Sequence, residues 1–248
     1  MADRADRPRA GRRVEDPPSL TALAADALRA MILGGELRPG DRVVENRLTR
    51  EIGVSRPPLR EAIRVLEKDG LVVQTPRRGA SVRELTLQDI YEIVTLREDL
   101  ERMAVRLGVP VADPQDLAQL HDAVGMLQRN AELGAEDSAV EDTVRFHRAI
   151  VALARHGRLD ETYRQLSLQM RLVMLLNRRA RAATESLIER AARHRALLTL
   201  IEEGDPERVL AAMHDPSSRT FLVDLVDLVD TLPNGTPTAR DWARSQHP

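Results

Sequence analysis

The stretch "GVSRPPLREAI", residues 53–63, places two adjacent prolines at the start of a predicted helix. Pro57 and Pro58 suit the first turn of a helix, where a missing N–H costs little and a preset φ is already helical. Ser55 stands just before this turn, and we expect its hydroxyl to cap the helix by accepting a hydrogen bond from a first-turn N–H. The apolar positions that follow have the i, i+3, i+4 and i+7 spacing of a helix with one buried face: Leu59, Ala62, Ile63 and Leu66.

Three arginines form a second row on the same predicted helix. Arg56, Arg60 and Arg64 lie at i, i+4 and i+8 beside the apolar row, so they share one exposed flank. The N-terminal end of a recognition helix is the part that meets base edges in the major groove of DNA. Because arginine pairs bidentately with guanine or with phosphate, this row is typical of a helix that reads DNA. The alternative interpretation is a solvated helix face with surface ion pairs.

The segments on either side of this helix predict a winged helix-turn-helix domain. A helix that begins near Leu20 ends at Gly34, and a short amphipathic helix covers residues 45–52. After the third helix, residues 71–83 have the pattern of a two-stranded hairpin with a Pro-Arg-Arg-Gly turn. We expect this turn to form a basic wing against DNA, with three residues at its tip: Arg77, Arg78 and Gly79.

From residue 85 onward the sequence shows helical periodicity and no strand pattern. Helices are predicted at 87–107, 114–132, 137–155, 158–181, 184–203, 206–214 and 217–231. The fold class is therefore mainly α, with a winged helix-turn-helix domain at 19–84 and an all-α helical-bundle domain at 85–232. The charged, Pro-containing tails at 1–18 and 233–248 are expected to be disordered.

Composition and charge narrow the functional class. Aromatic residues make up 2% of the chain, which argues against an all-β fold, and the absence of cysteine excludes disulfides and cysteine-based zinc sites. No apolar run reaches the length of a membrane span and no export signal is visible, so we expect a cytoplasmic protein without membrane contact. Residues 1–84 carry 17 basic and 13 acidic side chains, whereas residues 85–248 carry 20 and 26. This asymmetry indicates that only the N-terminal part faces a polyanion.

The N-terminal motif resembles a known family of bacterial regulators. The stretch "GELRPGDRVVENRLTREIGVSRPPLREAIRVLEKDGLVVQTPRRGASV", residues 35–82, is similar to the DNA-binding domain of the GntR family, and the resemblance starts at Leu20. It implies sequence-specific binding to double-stranded operator DNA, with Arg56 and Arg60 reading bases and phosphates. The resemblance also implies DNA contacts from four further positions: Asn46, Ser55, Pro58 and Gly79.

The second half resembles the FadR-type ligand-binding domain known as FCD. Three motifs carry the resemblance: "LREDLERMAVRLG" at 96–108, "FHRAI" at 146–150 and "RHRALLTLIEEGDPERVLAAM" at 193–213. It implies a homodimer that binds an inverted-repeat operator and a small-molecule effector that changes its operator affinity. We accordingly expect a transcriptional regulator, and specifically a repressor, rather than an enzyme.

Many FCD domains bind a divalent metal of the Zn or Ni type through one Asp and three His, and this chain matches that set only in part. His147 and His194 match, whereas Thr143 occupies the position of the Asp and Pro216 that of the last His. His214 stands two residues before the missing ligand and is a possible substitute, which gives a candidate set of His147, His194 and His214. Alternatively, the same cavity takes an organic ligand directly.

Arg97 is the remaining candidate for effector binding, together with His147 and His194. It has two interpretations: a partner for an effector carboxylate, or an ion pair with Glu101 one helical turn away. Two other functional classes remain open at this point. One is a helical metalloenzyme that uses His147, His194 and His214, and the other is an architectural nucleic-acid binder without an effector.

Overall fold

The computed structural model describes residues 18–176, 185–214 and 235–245. The N-terminal part consists of α1 (Leu20–Leu33), α2 (Glu45–Ile52), α3 (Arg56–Lys68), β1 (Val72–Thr75) and β2 (Gly79–Val82). Helices α2 and α3 are joined by a tight turn at Gly53, whose φ of 77° is the left-handed conformation that glycine adopts without strain. The predicted helix-turn-helix is therefore confirmed.

Apolar spacing on α1 and α3 builds the core of this domain. Leu28 is 1% exposed, and Leu59 and Leu66 are fully buried. The strands pair in antiparallel register from Val72 opposite Val82 to Thr75 opposite Gly79, which confirms the predicted wing.

The rest of the described chain is helical, as predicted for residues 85–232. It contains α4 (Leu87–Gly108), α5 (Pro114–Glu132), a short 3-10 helix (Glu136–Ser138), α6 (Ala139–Ala152), α7 (Gly157–Leu176), α8 (Leu187–Glu203), α9 (Pro206–His214) and α10 (Pro237–Ser245). The helix predicted at 217–231 lies outside the described residues. Among the helices that are described, none is long and apolar enough to cross a membrane.

The two largest of three buried clusters organise most of the packing of the described residues. One joins the winged domain to α4 and α7 through side chains such as Leu28, Leu59, Ile90, Val94, Leu172 and Val173. The other lies within the helical domain and includes Val105, Leu120, Val124, Phe146, Ile150, Leu198 and Leu210.

Helix α7 lies against the winged domain at Gly70. A Cβ atom added there would stand 2.5 Å from the Gln169 side-chain nitrogen, and the φ of Gly70 is +74°. The two domains therefore meet through a packed contact.

Helix α10 differs from the disordered tail expected at 233–248. Ala239 and Ala243 are fully buried, and the Trp242 ring meets Tyr91 of α4 edge-on, with centroids 5.4 Å apart. The Thr236 hydroxyl donates a hydrogen bond to Gln88 at 2.8 Å. The sequence gives little sign of this helix because only two small alanines form its fully buried face, so hydrophobic periodicity is weak.

Candidate functional site

The predicted DNA-reading residues of α3 lie on its solvent-facing flank. Arg56 and Arg60 are exposed at the first two turns, and Arg64 continues the row one turn further on. Leu59 points the other way and is fully buried. The row therefore has the exposure that a contact with DNA requires.

Ser55 occupies the N-cap position of α3, but its hydroxyl does not cap the helix. An N-cap side chain normally accepts a hydrogen bond from the N–H of the second or third helical residue. In this helix those residues are Pro57 and Pro58, which have no N–H. The predicted cap is therefore wrong, and the exposed Ser55 hydroxyl has no capping role that would compete with a phosphate contact.

The first two residues of α2 hold two of the three arginines of α3. The Asn46 side-chain oxygen accepts a hydrogen bond from Arg56 Nη2 at 2.9 Å. Both carboxylate oxygens of Glu45 lie 3.0 Å from Arg60 Nε. This hydrogen bond, together with the charge of Glu45, raises the pKa of Arg60 above its usual value.

Sequence reasoning missed Glu45. A carboxylate at the first position of α2 was available as a signal, since the helix-turn-helix geometry places that end of α2 beside the start of α3. The DNA contact of Asn46 remains a prediction, and in the structure its side-chain oxygen accepts a hydrogen bond from Arg56.

The wing tip carries the other predicted DNA-binding residues. Arg77, Arg78 and Gly79 are exposed in the turn between the strands. Arg77 and Gly79 have φ values of 66° and 83°. Arg42 donates a hydrogen bond to the Arg78 carbonyl at 3.0 Å, which ties the tip to the segment that precedes α2.

In the helical domain, Glu101 forms the centre of a buried polar cluster. Its Oε1 atom accepts a hydrogen bond from Arg97 Nε at 2.7 Å and another from the Tyr163 hydroxyl. His147 Nδ1 lies 3.2 Å from the same oxygen. The Arg97 and Glu101 side chains are only 6% and 4% exposed. The ion-pair interpretation of Arg97 is thus realised in the structure.

The charges in this cluster stabilise one another. Burial alone would raise the pKa of Glu101, but Arg97 and then His147 outweigh burial and lower it to about 2. Burial opposes the charge on Arg97 too, yet Glu101 holds its pKa above the usual value. Burial and the nearby carboxylate raise the pKa of Tyr163 well above normal, so the phenol stays protonated and donates.

His194 joins this cluster through aromatic contacts. Its ring centroid lies 5.6 Å from that of His147 and 5.0 Å from that of Phe146. His194 Nδ1 lies 2.7 Å from the Arg190 carbonyl. Because a carbonyl only accepts, this contact assigns the proton to Nδ1 and makes Nε2 the acceptor nitrogen of the neutral ring.

The predicted metal site does not assemble in the part of the chain that the structure describes. The Thr143 hydroxyl donates to the Ala139 carbonyl at 2.8 Å, within its own helix. The neighbouring Asp142 accepts a hydrogen bond from Asn130 at 2.6 Å. Across residues 18–176, 185–214 and 235–245, no group of three or more His, Cys, Asp or Glu side chains could hold a metal ion.

One member of the candidate set, His214, falls outside this test, as does Pro216 at the position of the last expected His. His214 ends α9, but its side chain is not among those described, and Pro216 lies in the gap that follows. Among the described residues alone, no group of side chains forms a divalent-metal site.

The structure also contains a small cavity between α5, α6 and α8 that the sequence does not predict. Asn130, Asp142 and Arg190 supply its polar lining, and Leu127 and Leu187 part of its apolar lining. Burial lowers the pKa of Arg190, although Glu185 partly offsets that effect.

Family models match both halves of the chain. Residues 20–82 match the model described as bacterial regulatory proteins, gntR family, and residues 92–215 match the FCD domain. Among curated proteins, the uncharacterized HTH-type transcriptional regulator YdhC of Bacillus subtilis is 30% identical over 181 residues, which cover 73% of this chain and 80% of YdhC. The gluconate operon transcriptional repressor of Bacillus licheniformis is 28% identical, with 75% and 77% covered.

The HTH-type transcriptional regulator McbR of Escherichia coli is similar in both sequence and structure. Its sequence is 32% identical over 152 residues, which cover 61% of this chain and 69% of McbR. Its solved structure superimposes with a TM-score of 0.69 at 25% identity, over 87% of this chain and 99% of that chain. The matched residues include both the winged domain and the helical domain.

Proposed function

The chain belongs to the GntR family of bacterial transcriptional regulators, with an FCD domain at residues 92–215, and we propose that it is a dimeric, effector-controlled repressor. It is a DNA-binding regulator and not an enzyme, since its family and its named relatives are transcriptional regulators. The metalloenzyme alternative has no support from these relatives or from the described side chains around His147 and His194.

The observation that carries the DNA-binding part of the proposal is the paired support of two arginines at the N-terminal end of α3. Arg56 and Arg60 are exposed, yet each is held by a side chain of α2. This end of a recognition helix is where base edges are met. The wing residues Arg77 and Arg78 supply additional positive charge for phosphates.

Selection from a pool of random duplexes tests this function. The full-length protein is expected to enrich an inverted repeat, with half-sites about one helical turn apart. Affinity for that duplex should exceed affinity for random DNA by roughly 10³-fold or more and should fall steeply with salt. A pool that shows salt-dependent binding but no enrichment would favour the architectural nucleic-acid binder.

The proposed effector is a small molecule that bears a carboxylate. Its candidate partners beside the buried cluster are His147 and His194, since Arg97 is already paired with Glu101. An effector that prefers the domain arrangement of low DNA affinity lowers operator occupancy by population shift. The packed contact between Gln169 and Gly70 offers a route from α7 to the winged domain. Because operator DNA is its target, the protein acts in the bacterial cytoplasm.

Helix α4 supports the homodimer in this proposal. Leu96, Met103 and Leu107 lie at i, i+7 and i+11 on one face of α4 and are 46%, 42% and 55% exposed. Large apolar side chains grouped in this way are typical of interaction sites. A second copy of the same helix, packed antiparallel about a two-fold axis, would place Leu96 against Met103 in both directions.

The charges on this face are self-complementary in the same arrangement. Glu92 lies near the start of the apolar stripe and Arg106 near its end, and both are exposed. Antiparallel pairing brings Glu92 of one copy close to Arg106 of the other, twice per dimer. A partner with the same surface therefore satisfies both the apolar and the charged positions.

Met103→Asp is expected to convert the dimer into a monomer, because it buries two carboxylates at the centre of the interface. Light scattering should give half the wild-type mass, and operator affinity should fall about 100-fold or more because the two half-sites are no longer bound together. Leu133→Asp is the matched control, since Leu133 is 79% exposed outside α4. A Met103→Asp protein that keeps the dimeric mass would rule out this interface.

A further inference from the structure

We propose that Glu45 is a positioning residue that sets the base specificity of Arg60 and weakens binding to random DNA; the inference rests on the proposed function. Glu45 is the first residue of α2, and Arg60 lies 15 residues later, on the second turn of α3. Their contact crosses the turn between the two helices. It therefore fixes a DNA-facing side chain from outside its own helix.

The geometry of the contact determines what Arg60 can offer to DNA. Both Glu45 oxygens approach Nε at 3.0 Å. The guanidinium plane is thus held by its Nε edge, while Nη1 and Nη2 form the edge that matches the O6 and N7 atoms of guanine. A guanidinium already held in plane loses less conformational freedom when it pairs with a base.

Stability does not account for this contact. The Arg60 side chain is 61% exposed and that of Glu45 33% exposed, and exposed ion pairs contribute little to folding. The effect of Glu45 should accordingly appear in DNA recognition and leave the unfolding transition nearly unchanged.

The charge of Glu45 has a separate effect. A carboxylate beside Arg60 offsets part of the positive charge that would otherwise attract random DNA, since non-specific binding is almost wholly electrostatic. A specific duplex recovers this cost because its guanine pairs with the oriented guanidinium. Glu45 therefore raises the ratio of specific to non-specific affinity in two ways, because it strengthens binding to the operator and weakens binding to random DNA.

Asn46 provides an internal comparison. It holds Arg56 through a neutral side-chain oxygen at 2.9 Å. Asn46 can orient its arginine in the same way, but it adds no negative charge. Removal of Glu45 should consequently strengthen binding to random DNA, whereas removal of Asn46 should not.

The test uses the full-length protein, its selected operator, single base-pair variants of that operator and a random duplex. Glu45→Ala is expected to weaken operator binding about tenfold and to strengthen binding to random DNA about threefold. The base pairs at which Glu45→Ala loses discrimination should be the same ones at which Arg60→Ala loses it. Glu45→Gln, which keeps an acceptor oxygen, should retain part of this discrimination while it shows the full gain on random DNA.

Glu51→Ala is the matched control. Glu51 is an exposed glutamate of the same helix, and it pairs with Arg47 at 3.3 Å instead of with α3. It changes the net charge equally, so its effect on every duplex should be uniform.

Double-mutant analysis distinguishes positioning from a merely structural role. In the Arg60→Ala background, Glu45→Ala should change base discrimination no further, because its target is gone. Equal losses on all duplexes, or losses that simply add to those of Arg60→Ala, would overturn the proposal. If wild-type protein prefers no duplex, the proposed function fails instead, and that outcome is distinct. Thermal unfolding followed by circular dichroism should be unchanged in Glu45→Gln.

Discussion

Replacing Arg97 by methionine is expected to lower the free energy of unfolding by about 3–5 kcal/mol at pH 7. The methionine fills much of the arginine's volume, so the cost arises chiefly from charge. It leaves Glu101 buried without the guanidinium that holds it at 2.7 Å. Removing one partner of a buried pair costs more than the pair contributes, because the other charge remains desolvated.

Urea denaturation at pH 7, followed by circular dichroism, measures this loss. The control is Arg164→Ala, which removes an exposed pair with Glu161 at 2.9 Å and should cost less than about 1 kcal/mol. The double variant Arg97→Met/Glu101→Leu should recover much of the stability, since both charges are then absent. A single variant as stable as Arg164→Ala would show that Glu101 is not held by Arg97.

The pH dependence of the variant gives a second, independent readout. In the wild type the pKa of Glu101 is lowered from 4.5 to about 2. Its contribution to stability is therefore complete above pH 4.5 and is lost as the pH falls towards 2. Without Arg97, its largest opposing charge, the pKa of Glu101 rises from about 2. The wild type then loses more stability on acidification than the variant does, so the stability deficit of the variant should be smaller at pH 3 than at pH 7.

The DNA-binding domain is easier to predict from the sequence than the helical domain, because its decisive residues lie close together along the chain. The start of α3 is encoded locally, since prolines, glycine and apolar spacing within a few residues predict its position. Even there, the predicted Ser55 cap was wrong because Pro57 and Pro58 remove the N–H groups that it would bind. The local pattern located the helix correctly but assigned the wrong hydrogen bond.

The buried cluster of the helical domain shows the opposite case. An Arg97–Glu101 pair is visible from i, i+4 spacing alone. Tyr163, which donates to the same carboxylate, is 62 residues away, and no pattern in the sequence links the two. The depth of burial and the lowered pKa follow from the packing of α4, α6 and α7, which periodicity does not specify.

The metal prediction has no support among the described residues, for a related reason. Thr143 was recognised from the sequence as a poor replacement for an aspartate. The structure adds that its hydroxyl is bonded to the Ala139 carbonyl, and that Asp142 on the neighbouring face pairs with Asn130. Ligand spacing on one helix could be read from the sequence, but the partners that occupy those side chains could not.

Arg60→Ala and Arg56→Ala are each expected to weaken binding to the selected operator about 10- to 100-fold, because one bidentate contact to guanine contributes roughly 1–3 kcal/mol. The double variant should lose about 1000-fold, which brings operator affinity towards that for random DNA. Both side chains are exposed, so the unfolding transition should not shift.

Salt titration of fluorescence anisotropy separates the two ways in which these arginines can act. Substituting a residue that contacts a base removes discrimination at one base pair. Substituting a residue that binds phosphate instead weakens binding to all sequences and reduces the salt slope by about 1. Arg60→Lys retains the charge but cannot form the planar, bidentate contact, so it should restore the salt slope and not the discrimination. Arg195→Ala, an exposed arginine of α8, should leave both unchanged. If Arg56→Ala and Arg60→Ala behave like Arg195→Ala, the N-terminal end of α3 does not enter the groove, and the interface must lie on another surface of the winged domain.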